Sequence, residues 1–360
     1  MPPALLSLFR VSPAASRPAP AISRRKPSAS KNTTQRTAHS PLFGPIAQAE
    51  VDALKSQIAE GRGKPAYADY IDAAENYLLP FFGSQRIDEL TPELMDAFDS
   101  WRISQLGRVP KQSTQRNHAS AFARIVNRLR REGLWDERRP LPRLNVGGPR
   151  GEPRPAFTNE EVERLLAFMP DWVHDSTRRD ADLMRQLCWA YVEFLLYTGM
   201  RTGTEALNVR WPHLQWHHAH GERFLKIWVS GKTGPRQLIA RNEVLPCLER
   251  LIQMSAPERM DLEAMLANPI QRHIFVTPGG RRPHMFVGIF SRLMRDSGLQ
   301  KDQSGRLNRS LYSLRHTYAT QALARGVDIH TLARQMGTSV LMLEKHYSKL
   351  TPMLAADKLA

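Results

Sequence analysis

Apolar residues recur at helical spacing along most of the chain. Leu94, Phe98 and Trp101 fall at i, i+4 and i+7 behind Thr91-Pro92, a cap residue followed by a first-turn proline. Phe122, Ile125, Val126 and Leu129 form a second stripe, in a helix expected from about Ser113 to Glu132 and closed by Gly133. Further on, Thr158 and Glu161 make a T-x-x-E capping box ahead of Val162, Leu165, Leu166 and Met169. Residues 183–198 are apolar nearly all round, which predicts a central buried helix stopped by Gly199. Residues 224–229 (FLKIWV) and 237–240 (QLIA) read as two strands of a hairpin joined by SGKTGPR. Ile274–Val276 suggests a short strand, and helices are expected at about 286–296, 308–325, 328–336 and 339–349. The pattern is mainly α with a small antiparallel sheet.

Two stretches break it. Residues 136–157 hold five prolines and three glycines, and read as a linker. Residues 1–49 contain no Asp or Glu but seven basic residues among Pro, Ser and Ala. Such composition cannot bury a core. A disordered basic arm over 1–44 is the favoured reading, beside a targeting peptide or a start placed too early. The expected division is therefore arm 1–44, helical domain 45–135, linker 136–157, second domain 158–350 and tail 351–360.

Composition narrows the partners. At 41% hydrophobic and 24% charged residues the chain can form real cores, which excludes a wholly disordered protein. Lys and Arg number 51 against 35 Asp and Glu, a net charge of +16 that calls for a polyanion. No apolar run reaches the roughly 18 residues of a membrane span; Leu187–Met200 is shorter and carries Glu193, so no membrane partner is expected. Cys188 and Cys247 form no metal-ligand pattern and suit a reducing compartment. His217-His218-Ala219-His220 resembles a metal tract but is read as a loop, so no metal is expected.

Four local signals follow in order. Arg201 sits in YTGMRTGTEALNVRW just past Gly199, where Thr202 and Glu205 suggest a second capping box. Lys232 stands in the hairpin loop VSGKTGPR. In LYSLRHTYAT, Tyr312, Arg315 and His316 share a helix face. In MGTSVLMLEKHYSKL, Thr338 suits an N-cap, Val340, Leu343 and Tyr347 share a face, and His346 precedes the tyrosine.

These motifs, in this order and spacing, resemble the tyrosine recombinases of the phage integrase family over about residues 45–350. The resemblance implies a helical core-binding domain followed by an α+β catalytic domain. It implies that Arg201, Lys232, Arg315 and Tyr347 are catalytic, and that Tyr312, His316, Thr338 and His346 are auxiliary. Tyr312 and Thr338 stand where the family usually has His, and His or Trp. The chemistry needs such residues: guanidinium forks suit non-bridging phosphate oxygens. A tyrosine can form a covalent 3′-phosphotyrosine, with Lys232 protonating the leaving 5′-oxygen. The general base is open, with His316 and His346 as candidates. The resemblance further implies double-stranded DNA as partner, a homotetramer on paired sites, no cofactor, and a cytoplasmic, nucleoid-associated location. Arg116, Arg124, Arg128 and Arg131 follow the stripe of the Ser113–Glu132 helix on other faces and are candidates for DNA contact, as are Arg281, Arg282 and His284 after Gly279-Gly280. Rival readings are a DNA-binding member without catalysis, prompted by Tyr312 and Thr338, and a type IB topoisomerase.

Overall fold

The structure, a computed structural model, describes residues 40–151, 154–175, 179–231, 234–255, 260–305 and 308–347, without the side chains of Arg179, Asp180 and Tyr347. The chain divides into two units, residues 1–151 and 152–360.

The described part of the first unit is helical. Helix α1 (Phe43–Ala59) is followed by α2 (Ala66–Ala73), which runs through a π-helical turn at Ala74–Leu78 into α3 (Leu79–Phe82). Pro80 cannot donate to the carbonyl one turn back and its ring crowds it, so the helix widens just before that residue. Helix α4 (Pro92–Leu106) begins at Thr91, whose hydroxyl accepts from the Leu94 N–H at 3.4 Å, as the sequence predicts. Helix α5 (Gln112–Arg131) buries Phe122, Ile125, Val126 and Leu129. Phe82 is the hub of the core, with ring centroids 5.6, 5.0 and 5.2 Å from those of Phe43, Phe98 and Phe122.

Most of the stretch expected as a linker packs onto this unit. Leu144 is buried in its core, beside Trp135 just ahead of the stretch. The Gln112 N–H donates to the Pro149 carbonyl at 3.0 Å, and the Gly148 N–H donates to buried Gln115 at 3.0 Å. A proline-rich segment forms no ladder of its own, but its carbonyls and remaining amides can satisfy a helix start.

The second unit is built around α7 (Arg179–Thr198), which packs against α6 (Asn159–His174). After a left-handed turn at Gly199 (φ 64°) and the short α8 (Thr204–Leu207) come strands β1 (Leu214–Ala219), β2 (Glu222–Gly231) and β3 (Gly234–Ile239). They form one antiparallel sheet in the order β1-β2-β3, with Leu214 opposite Ile227 and Gly231 opposite Gly234. Leu225, Ile227 and Val229 turn inward and Trp228 outward, the period-two pattern of a half-buried strand. Helices α9 (Leu245–Ser255), α10 (Leu262–Ala267), α11 (Val287–Asp296), α12 (Leu311–Ala324), α13 (Ile329–Met336) and α14 (Val340–Tyr347) complete the unit, with α9, α11 and α12 against α7. Among the described residues no helix is long and apolar enough to cross a membrane.

Two expectations are corrected. The histidine run is not a loop: His217 and His218 lie within β1, and His220 (φ 53°) with Gly221 (φ 78°) makes the two-residue turn into β2. Ile274–Val276 is not a strand; its residues are buried, but the pairing is a single bridge between Arg210 and His273. Both cysteines are fully buried, and burial pushes their thiols well above the ordinary range.

The capping box at Thr158 forms as expected, and its carboxylate does a second job. Glu161 accepts the Thr158 N–H at 2.9 Å and an Arg309 N–H at 2.6 Å. Arg309 is almost fully buried; it also donates to the Leu299 and Lys301 carbonyls at 3.3 and 2.6 Å and lies over the Phe157 ring at 4.5 Å, but Glu161 is the carboxylate paired with it among the described residues. Glu161→Ala therefore strands a buried cation. It is expected to destabilise the second unit by about 3–5 kcal/mol in urea unfolding; a midpoint like that of the unaltered chain contradicts this.

Candidate active site

The C-terminal end of α13 is where the distant motifs meet. Gly337 takes a left-handed conformation (φ 62°); its N–H donates to the Arg334 carbonyl at 3.1 Å, and the Thr338 N–H reaches Ala333 at 2.9 Å. This closes the helix but leaves three carbonyls, those of Gln335, Met336 and Gly337. Each is taken by a different arginine. Arg236 donates Nε–H to Gln335 at 3.1 Å, Arg315 donates Nη2–H to Met336 at 2.8 Å, and Arg201 donates Nη2–H to Gly337. Cations at the negative end of a helix dipole are favoured there. Arg315, 3% exposed, also donates to the Gly199 carbonyl at 2.6 Å, so it joins the turn carrying Arg201 to the turn after α13. Gly337 leaves the space these arginines need: a Cβ there would lie 2.7 Å from the Arg236 guanidinium carbon.

Glu205 neutralises part of this charge. Its Oε1 accepts the Arg201 N–H at 3.1 Å and an Arg236 N–H at 2.6 Å; its Oε2 accepts from Arg201 Nη1 at 3.0 Å and Arg236 Nη1 at 3.1 Å. Burial opposes ionisation of this carboxyl, but the hydrogen bonds and charges of Arg236 and Arg201 outweigh it and hold its pKa below the ordinary value. The expected capping box between Thr202 and Glu205 is not formed. Gly203 (φ 78°) is the residue at the N-cap of α8, and the Glu205 side chain is spent on the arginines instead. The backbone of Gly231, the last residue of β2, packs directly against the Glu205 carboxylate. Lys232, next in the chain, lies outside the described residues.

The auxiliary candidates separate. His316 is buried, its pKa lowered to about 4 by burial and then by His346 and Arg315, so its ring is neutral near pH 7. It lies edge-on between Tyr312, at 5.1 Å, and His346, at 5.6 Å between centroids. Tyr312 itself is 41% exposed. Thr338 does not cap α14. Ser339 does, through its hydroxyl, which accepts the Met342 N–H at 3.3 Å. Tyr347 is the last residue of α14, and its side chain lies outside the described residues.

Part of the basic stripe of α5 is engaged by an acid of α1. Arg124 and Arg128 reach buried Glu50 at 2.9 and 3.5 Å, and Arg131 approaches it at 3.7 Å while remaining mostly exposed. Arg116 is exposed. In the second unit Arg281 and His284 are exposed, and Arg282 donates to Asn208 Oδ1 at 2.5 Å. Arg236 ends the hairpin motif VSGKTGPR, in which the resemblance singles out Lys232. Strand alternation was the available signal, since Arg236 shares the inward face of β3 with Leu238.

A model of the phage integrase family matches residues 155–352, which contain every catalytic candidate. Solved structures share the fold. The XerH site-specific recombinase bound to palindromic difH substrate, a post-cleavage complex, has a TM-score of 0.59 at 14% identity, covering 88% of this chain and 94% of that one. The Tn1549 transposon integrase with transposon right-end DNA has a TM-score of 0.54 at 18% identity, covering 84% and 94%. A lambda integrase dimer on a COC′ core site has 0.56 at 14%, covering 83% and 76%. No curated protein matches the chain. The chain belongs to the phage integrase family. It is a tyrosine recombinase, a DNA strand-transferase whose covalent phosphotyrosine intermediate is implied by the family.

Glu205 is shared by two of the three arginines, so its loss loosens both, although each keeps its carbonyl at the end of α13. Glu205→Ala is expected to lower DNA cleavage by about 10²–10³-fold while leaving DNA affinity equal or higher, since a negative charge is gone. A cleavage rate like that of the unaltered protein, in a variant that binds and unfolds normally, refutes this.

Proposed function

We propose that Arg201, Arg315, Lys232 and Tyr347 form the strand-transfer centre, with Arg236 and Glu205 positioning the arginines. The observation that carries this reading is the convergence of Arg201 and Arg315, from separate elements, on the adjacent carbonyls of Gly337 and Met336. That turn leads directly into the helix ending at Tyr347.

In the proposed step the Tyr347 phenol oxygen attacks phosphorus and the bond to the 5′-oxygen breaks. The DNA 3′-phosphate becomes a phosphotyrosine, and Lys232 gives the departing 5′-oxygen its proton. The two guanidiniums face the non-bridging oxygens, where negative charge grows in the transition state. A neutral, buried His316 accepts protons poorly and Tyr312 is itself a phenol. His346, beside the nucleophile in the chain, is therefore the better base. The phosphotyrosine conserves the energy of the broken bond, so a second 5′-hydroxyl can attack it and rejoin the strand. Four protomers on two DNA sites would exchange strands in this way, within the compartment that holds the DNA.

Tyr347→Phe is expected to abolish covalent attachment to a nicked suicide duplex, read on a denaturing gel, while binding persists; attachment by the Phe variant removes Tyr347 as nucleophile. No adduct with the unaltered chain would favour the DNA-binding reading that Tyr312 and Thr338 prompt. Lys232→Ala is expected to slow cleavage and to recover on a substrate whose leaving group is a 5′-thiolate, which departs without a proton. Equal slowing on both substrates argues against Lys232 as the acid.

A further inference from the structure

We propose that a cleft beside the strand-transfer centre, lined by Arg210, Arg282, His213 and His273, holds a second backbone phosphate of the DNA, distinct from the scissile one. The proposal rests on the strand-transfer reading above. The cleft encloses about 430 Å³, within the roughly 300–1,000 Å³ common to ligand clefts. It lies where the bridge between Arg210 and His273 ties the chain after α8 to the segment before Phe275. Ser230, two residues before Lys232, forms part of its rim.

Its charge has no internal counterpart. No carboxylate among the described residues pairs with Arg210 or Arg282, and Arg282 donates only to the neutral Asn208 amide oxygen. Glu205 also lines the cleft, but Arg201 and Arg236 occupy both of its oxygens. Arg282, held by Asn208, and the exposed Arg210 therefore line a concave surface as cations that no described carboxylate pairs with, the arrangement that binds a phosphodiester.

The imidazoles fit the same ligand. His213 Nδ1 accepts the Arg210 N–H at 3.2 Å, which leaves the proton of the neutral ring on Nε2 as a donor. Burial and then Arg210 lower the His213 pKa; burial and then Arg282, Arg210 and His213 lower that of His273. An anion among these four groups reverses the repulsive part of both shifts. Trp228, 42% exposed on the outer face of β2, lies 4.8 Å from the His213 ring between centroids and offers an apolar wall for the adjoining deoxyribose.

The test measures binding of the full chain to a labelled duplex of arbitrary sequence over a range of salt concentrations. Arg210→Gln and Arg282→Gln are each expected to reduce the magnitude of the log K against log salt slope by about one, with several-fold weaker binding. Arg282→Lys is expected to restore the slope. Arg210 is exposed and makes no described side-chain bond, so its variant tests the cleft even where Arg282→Gln disturbs folding. Gln variants that fold and keep the unaltered slope overturn the proposal. Absence of salt-dependent binding by the unaltered chain overturns instead the DNA reading beneath it.

Discussion

Three guanidiniums brought to one turn repel one another. Two unit charges 4 Å apart do so by roughly 4 kcal/mol at an effective dielectric near 20. The site depends on how that repulsion is met. The last carbonyls of α13 supply the negative end of a helix dipole, and the single buried carboxylate of Glu205 binds two of the arginines at once. The compensation is incomplete, and the remaining positive charge suits a phosphodiester. Because Arg315 is anchored to two backbone carbonyls, its orientation is set before a substrate arrives, which is the condition for electrostatic catalysis without reorganisation.

The fold delivers these groups through close backbone approaches. Gly199 ends α7 in a left-handed turn, and the Tyr318 ring of α12 fills the place a Cβ would need. Gly231 does the same for the hairpin, lying against Glu205. Both contacts hold chain segments of the proposed centre, the turn of Arg201 and the strand that precedes Lys232. A side chain at either position would push the segment away from its partner.

Helical periodicity made α4, α5, α6, α11 and α13 legible, because each buries one stripe, and α7 was legible from an apolar run nearly all round that stops at Gly199. What escaped was decided by tertiary context. Strand β1 reads LQWHHA, too polar to signal a strand, and exists because β2 pairs with it. Glu205 has the spacing of a capping residue, yet two arginines compete for its carboxylate and win. Arg124 and Arg128 look like a surface stripe along α5, but Glu50 of α1 draws them inward, a partner no local pattern discloses. The prolines after α5 suggest a tether, whereas Leu144 and Gly148 lie against the first unit. In the candidate site, the motifs pointed to Arg201 and Arg315, which meet at the end of α13, while the contact of Arg236 with the same turn depends on β3 reaching it.

The two cysteines open a practical route. Each sits among apolar side chains, Cys247 with its Sγ–H directed at the Ala190 carbonyl at 3.1 Å, so neither presents a thiolate to a reagent. A third cysteine placed on an exposed position would react alone with a maleimide dye. The native chain thus accepts a single reporter without prior removal of its own sulfhydryls, and strand exchange could be followed by the light of one fluorophore.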